Sequence, residues 1–159
     1  MTGAPVKVVA GGTPTFPLHA RRDDVELSPG TTLLWDYGYS TSFIDMNFLH
    51  AAVLFTRIVS KPSGNTICLD LGHKAVGSEM PQPRIKIIGM EDFRITGHNE
   101  EHMVIETDYA GRFKVGDHLY ALPLHICPTV DRYDTVYVAE NNKITDRWSV
   151  MARKRKITI

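Results

Sequence analysis

The sequence predicts a mainly β fold, a small antiparallel barrel or sandwich, over most of its 159 residues. Three observations predict it. From Ala51 onward, short runs of β-branched, aliphatic and aromatic residues recur at close spacing. Turn chemistry separates them, as in Lys61-Pro62-Ser63-Gly64-Asn65, Tyr109-Ala110-Gly111 and Glu140-Asn141-Asn142-Lys143. The apolar positions show almost no 3.6-residue repeat, which argues against a helical core. Composition shifts near residue 50, so the chain divides into a leading piece, 1–50, and a β domain, 51–159.

In the leading piece, Val6 to Ala10 is a continuous apolar run, the pattern of a strand buried on both faces. It runs into Gly11-Gly12-Thr13-Pro14-Thr15. Glycines followed by hydroxyl side chains let a backbone approach a phosphate, although Gly-Gly is more commonly a plain turn. Leu18 to Asp24 is polar and reads as a loop or short helical turn. Glu26 to Gly30 reads as a turn, Thr31 to Tyr37 as a strand ending at Asp36. Asp36 to Phe48 carries Tyr37, Tyr39, Phe43 and Phe48 among Gly and Ser, which suggests a ligand-facing or partner-facing loop.

In the β domain, strands are predicted at Ala51 to Ser60, Asn65 to Leu71, Arg84 to Gly89, Phe93 to Thr96, His102 to Thr107 and His118 to Leu124. Three more follow at Thr135 to Glu140, Ile144 to Met151 and Arg153 to Ile159.

Eighteen Lys and Arg balance eighteen Asp and Glu, so no net field draws the chain to nucleic acid or to an anionic membrane. The one basic cluster, Arg153 to Lys156, alternates with apolar residues like a solvated strand face. No apolar run reaches the ~18 residues of a membrane span. A signal-peptide pattern is also missing. The expectation is a cytoplasmic protein in which Cys68 and Cys127 are free thiols or ligands rather than a disulfide.

The stretch Gly116 to Asp131 carries the clearest chemistry. His125 and Cys127 are two apart, and in an extended chain such side chains emerge on one face. Imidazole and thiolate suit zinc, which takes nitrogen and sulfur at about 2.0 to 2.3 Å. Pro123 and Pro128 bracket the pair, placing it where a strand ends and a loop begins. By spacing alone the alternative stands, since a free Cys is commonly a small buried hydrophobe.

Read together, Gly11 to Thr15, Glu26 to Gly30, Ser60 to Glu79, Glu100-Glu101-His102, Gly116-Asp117 and His125 to Thr129 resemble the C-terminal part of the D-threonine aldolase and D-serine dehydratase-like family. The resemblance implies that residues 1–50 are a remnant of an N-terminal (β/α)8 barrel that binds pyridoxal phosphate, ahead of the β domain. It also implies a homodimeric lyase acting on D-β-hydroxy amino acids. His125 and Cys127 would hold zinc or manganese as a Lewis acid on the substrate's β-hydroxyl. Gly11, Gly12 and Thr13 would hold the cofactor phosphate, with Tyr37 or Tyr39 nearby. Cys127 is similar to the dehydratase branch, whereas the Pro128-Thr129 that follows is similar to the aldolase branch. No lysine here lies in a segment resembling the family's Schiff-base motif, so the chain alone is expected to be inactive. The competing expectations are a stand-alone, non-catalytic β barrel that binds a metal, small ligand or partner chain, and nucleic-acid binding through the basic end, which the zero net charge disfavours.

Overall fold

The computed structural model describes residues 6–157. It begins with a small parallel unit: strand β1 (Val8–Ala10), the one-turn helix α1 (Phe16–His19) and strand β2 (Val25–Leu27). The two strands pair in parallel with Val8 opposite Val25. Val8 and Val9 remain 40% and 59% exposed. The apolar run expected to be buried on both faces therefore has one neighbour, β2, and open faces. The predicted turn at Glu26 to Gly30 is corrected as well, because Val25 to Leu27 is that second strand.

The predicted strand from Thr31 to Tyr37 is absent. Residues Thr31–Leu33 form a 3-10 turn, and helix α2 follows at Tyr37–Ser42. Asp36 explains the helix start. Its backbone is extended and its carboxylate accepts from the Tyr39 amide at 2.8 Å, an N-cap that overrides the β propensity before it. Trp35, 1% exposed at φ 56°, turns the chain into that cap. Its ring packs on Tyr39 and Phe48, at centroid distances of 5.7 and 5.1 Å, and Tyr39 packs on Phe43. Tyr39, Phe43 and Phe48 thus pack with Trp35 in one cluster.

The β domain is built on one curled, six-stranded antiparallel sheet. Its strands are β3 (Leu54–Ser63), β4 (Thr66–Leu69), β5 (Ile85–Ile87), β6 (Arg94–His98), β7 (Met103–Glu106) and β8 (His118–Pro123), in the order β5-β8-β3-β4-β7-β6. Strand β3 is its spine. Residues 54–57 pair with β8 and the later ones with β4, with register shifts after Ile58 and Ser60 that bend the strand. The bend produces a half-barrel. Alternation builds the core: Leu54, Ile58, Ile67, Leu69, Ile85, Ile87, Met103, Ile105, Leu119 and Ala121 all face inward.

After β8 the chain makes a short helix, α3 (Ile126–Val130), then the hairpin of β9 (Thr135–Glu140) and β10 (Lys143–Ser149). Asn141 and Asn142 both have positive φ, the signature of a type I′ turn. The strand expected at Arg153 to Ile159 is not formed by the residues described. Met151–Lys154 is a 3-10 turn, Arg153 pairs with Asp134 at 2.6 Å, and residues 158–159 lie outside the described range. No helix among the described residues is long and apolar enough to cross a membrane.

Candidate metal centre

His125 and Cys127 lie beyond the end of β8, as the flanking prolines suggest, but not in extended chain. His125 is the N-cap of α3 and Cys127 occupies its first turn. Pro128 is accommodated there because amides of a first helical turn have no intrahelical acceptor. The same-face argument for a strand is therefore corrected. What sorts the side chains is Ile126, only 4% exposed, which anchors the turn to the core. On either side of it the His125 side chain is 40% exposed and Cys127 is exposed.

The helix has no side-chain cap of its own. Asp36 supplies one from the leading piece, accepting from the Ile126 amide at 3.0 Å through Oδ2 while Oδ1 caps α2. The Gly38 amide also donates to the Leu124 carbonyl at 2.9 Å. A Cβ at position 38 would stand 2.4 Å from that oxygen, so the close approach requires glycine.

Glu79 completes the histidine's surroundings, with Oε1 at 2.5 Å from His125 Nδ1. Burial pushes the Glu79 carboxyl up, but hydrogen bonds from its own amide and from His125, with the charge of Arg132, outweigh it and hold the group below its ordinary value. Its loop is pinned to α3, because the Gly77 amide donates to Thr129 Oγ1 at 3.0 Å and that hydroxyl donates to the His125 carbonyl at 2.7 Å.

Thr31 connects Cys127 to the glycine loop. Its hydroxyl lies 3.7 Å from Cys127 Sγ, and its amide donates to Thr13 Oγ1 at 3.0 Å. Thr13 is 4% exposed, and this bond ties its side chain to the start of the 3-10 turn. Gly11 is packed against Phe16, His19 and Leu27, whereas Gly12 opens on free space. The two tyrosines part company. Tyr39 sits beside Cys127, and its phenol is pushed up by burial and then by the neighbouring Asp36 carboxylate. Tyr37 instead lies over Lys86, whose Nζ is 5.5 Å from the ring centroid.

The structure thus draws Gly12, Thr13, Thr31, Tyr39, Cys127, His125 and Glu79 into one connected region. Sequence reasoning missed Thr31, Asp36 and Glu79 as participants. Of these, Glu79 lies in a stretch that carries the family resemblance, but nothing in its local pattern marks it as a partner of His125. Among the described residues no three or more His, Cys, Asp or Glu converge as a complete metal cage. The donors available are one imidazole and one thiol.

Residues 51–139 match the family model "Putative serine dehydratase domain". An uncharacterized protein of Mycobacterium tuberculosis is 33% identical over 113 residues, covering 69% of this chain and 85% of that protein. A D-threonine aldolase of Arthrobacter sp. is 27% identical over 131 residues, covering 80% of this chain but 34% of the aldolase. Among solved structures, the D-threonine aldolase of Filomicrobium marinum superimposes with a TM-score of 0.83 at 21% identity, over 92% of this chain and 40% of that one. The D-threo-3-hydroxyaspartate dehydratase of Delftia sp. HT23 gives 0.70 at 21% identity, over 90% and 43%. D-threo-3-hydroxyaspartate dehydratase is also known with alanine in place of a histidine, and with alanine in place of a cysteine two positions further on, the latter in a metal-free form. This chain spans less than half the length of the aldolases and dehydratase it matches.

Proposed function

Since the chain belongs to the serine dehydratase domain family, we propose that it is the metal-binding C-terminal portion of a pyridoxal-phosphate-dependent lyase acting on D-β-hydroxy amino acids. One observation carries the reading. His125 and Cys127 flank a buried Ile126 with their side chains open to solvent, and Cys127 is joined through Thr31 to the loop at Gly12 and Thr13. The pair of alanine substitutions described for the dehydratase, two positions apart, supports the same two donors here.

The donor set fits a divalent ion of borderline softness. A thiolate favours zinc over manganese, and two protein donors leave coordination positions for water and substrate. When bound, the metal would supply Lewis acidity to a β-hydroxyl and the cofactor an electron sink for the α carbon. The chain's own residues do the positioning. His125 Nε2 and Cys127 Sγ would hold the ion, Gly12 and the Thr13 hydroxyl would face the cofactor phosphate, and the Tyr39 phenol stays protonated beside the thiol. Asp36 fixes the turn carrying both donors. Homodimerisation belongs to this reading.

Zinc content tests the proposal: the purified chain should carry about one zinc per molecule, lost in His125→Ala and in Cys127→Ala. An unsubstituted chain free of zinc after dialysis against micromolar zinc would contradict it. A second reading, a non-catalytic metal-binding β module, is favoured by the mycobacterial relative, 85% of which is matched by 113 residues. Cobalt in place of zinc separates the two. D-threonine, but not D-alanine, should shift the cobalt spectrum if the site serves a β-hydroxyl substrate, and neither should if the module only stores the ion.

A further inference from the structure

A histidine binds a metal through a bare ring nitrogen, and the neutral ring carries one proton that can sit on either nitrogen. Which one it occupies is set by the hydrogen bond the ring makes. Glu79 Oε1 lies 2.5 Å from Nδ1 of His125. An ionised carboxylate only accepts, so whenever the ring is neutral this contact puts its one proton on Nδ1 and its lone pair on Nε2.

The carboxylate is delivered to this point by a loop tied down at both ends. Before it, Val76 is fully buried, the Tyr133 hydroxyl donates to the Ala75 carbonyl at 2.7 Å, and the Gly77 amide donates to Thr129. A Cβ at position 77 would meet Pro128 Cγ at 2.8 Å, so the loop lies directly on α3. Beyond it, Arg84 Nε donates to the Met80 carbonyl at 2.7 Å. Both Glu79 and His125 are therefore referred to the same short helix, which also carries Cys127.

We infer that Glu79 is a positioning residue that holds His125 in the Nδ1–H tautomer and fixes its ring plane, so that Nε2 is presented to a divalent ion together with Cys127 Sγ. The inference rests on the metal reading above for the identity of what Nε2 meets. Carboxylate partners of this kind raise the basicity of a ligating imidazole, and their loss lowers metal affinity by about 10- to 100-fold.

Two measurements on the full chain test it. In the metal-free protein, 15N–1H correlations of the imidazole should show His125 as a single Nδ1–H tautomer, with Glu79→Ala moving the proton to Nε2. In a cobalt titration followed by thiolate-to-metal charge transfer, Glu79→Ala should weaken binding by about 10- to 100-fold. Glu79→Gln should recover part of the loss, because an amide oxygen still accepts from Nδ1–H. Because the Glu79 side chain is 44% exposed, neither variant should lower the unfolding temperature by more than a few degrees. An Nε2–H tautomer in the unsubstituted chain, or a Glu79→Ala variant that binds cobalt as tightly, overturns the inference. An Nδ1–H tautomer in a chain that binds no cobalt overturns the metal reading instead.

Discussion

Asp36 is 1% exposed and divides its two oxygens between elements far apart in sequence, Oδ1 capping α2 and Oδ2 meeting the first amide of α3. Asp36→Ala leaves two amides without acceptors, one of them at a buried turn, and should cost about 2 to 4 kcal/mol in urea unfolding. His98 makes an opposite demand. Burial, then the charges of His73 and Arg84, push it down to about 4, and Arg84 Nη1 donates to its Nδ1 at 2.9 Å. The folded state therefore binds fewer protons than the unfolded one between about 4 and 6.5, so stability falls as pH drops through that window and is intact above it. The loss should be on the order of 2 kcal/mol, measured by denaturation at pH 7 and 4.5, and His98→Gln should flatten it. At this scale His125 and Cys127 could be picked out as candidates because their types and spacing travel together in the chain. Glu79 could not, because it reaches His125 across 46 positions through a loop whose path no local pattern encodes.

At the scale of elements, α2 and the turn into α3 behave as one unit clamped at Gly38. Gly38→Ala drives a Cβ to 2.4 Å from the Leu124 carbonyl, so the two must separate. The expected outcome is a loss of zinc affinity at His125 and Cys127 with the β sheet intact, read by metal titration alongside far-UV circular dichroism. At the β9–β10 hairpin the effect should run the other way. Asn142 holds φ 61°, which glycine adopts without strain, so Asn142→Gly should strengthen the hairpin by about 0.5 kcal/mol, measured by amide exchange of Tyr137 and Val138. The hairpin turn was plain in the sequence, since Asn-Asn between alternating runs has few other uses. Residues 31 to 37 were misread because Thr, Trp and Tyr favour strands in isolation, whereas the Asp36 cap and the burial of Trp35 decide the outcome. The tail at 153 was misread for a related reason: alternation predicts a strand only where a partner strand exists.

For the molecule as a whole, the half-barrel was legible because one face of each strand is buried, and period-two alternation records that directly. The leading piece was less so. Its β1-α1-β2 unit has the apolar sequence of a doubly covered parallel strand but is covered on neither face here, so its pattern answers to surroundings the described residues do not supply. The joint between the two parts was not legible at all, since Thr31, Asp36 and Gly38 contact the His125 turn through single hydrogen bonds and one close backbone approach. That joint is where the glycine loop and the paired donors come together, and the account of function depends on it. Anomalous diffraction at the zinc edge from crystals of the zinc-loaded chain tests it most directly. The account predicts a single peak within about 2.0 to 2.4 Å of both His125 Nε2 and Cys127 Sγ. A peak elsewhere, or one bonded to His125 through Nδ1 with Glu79 displaced, would contradict it.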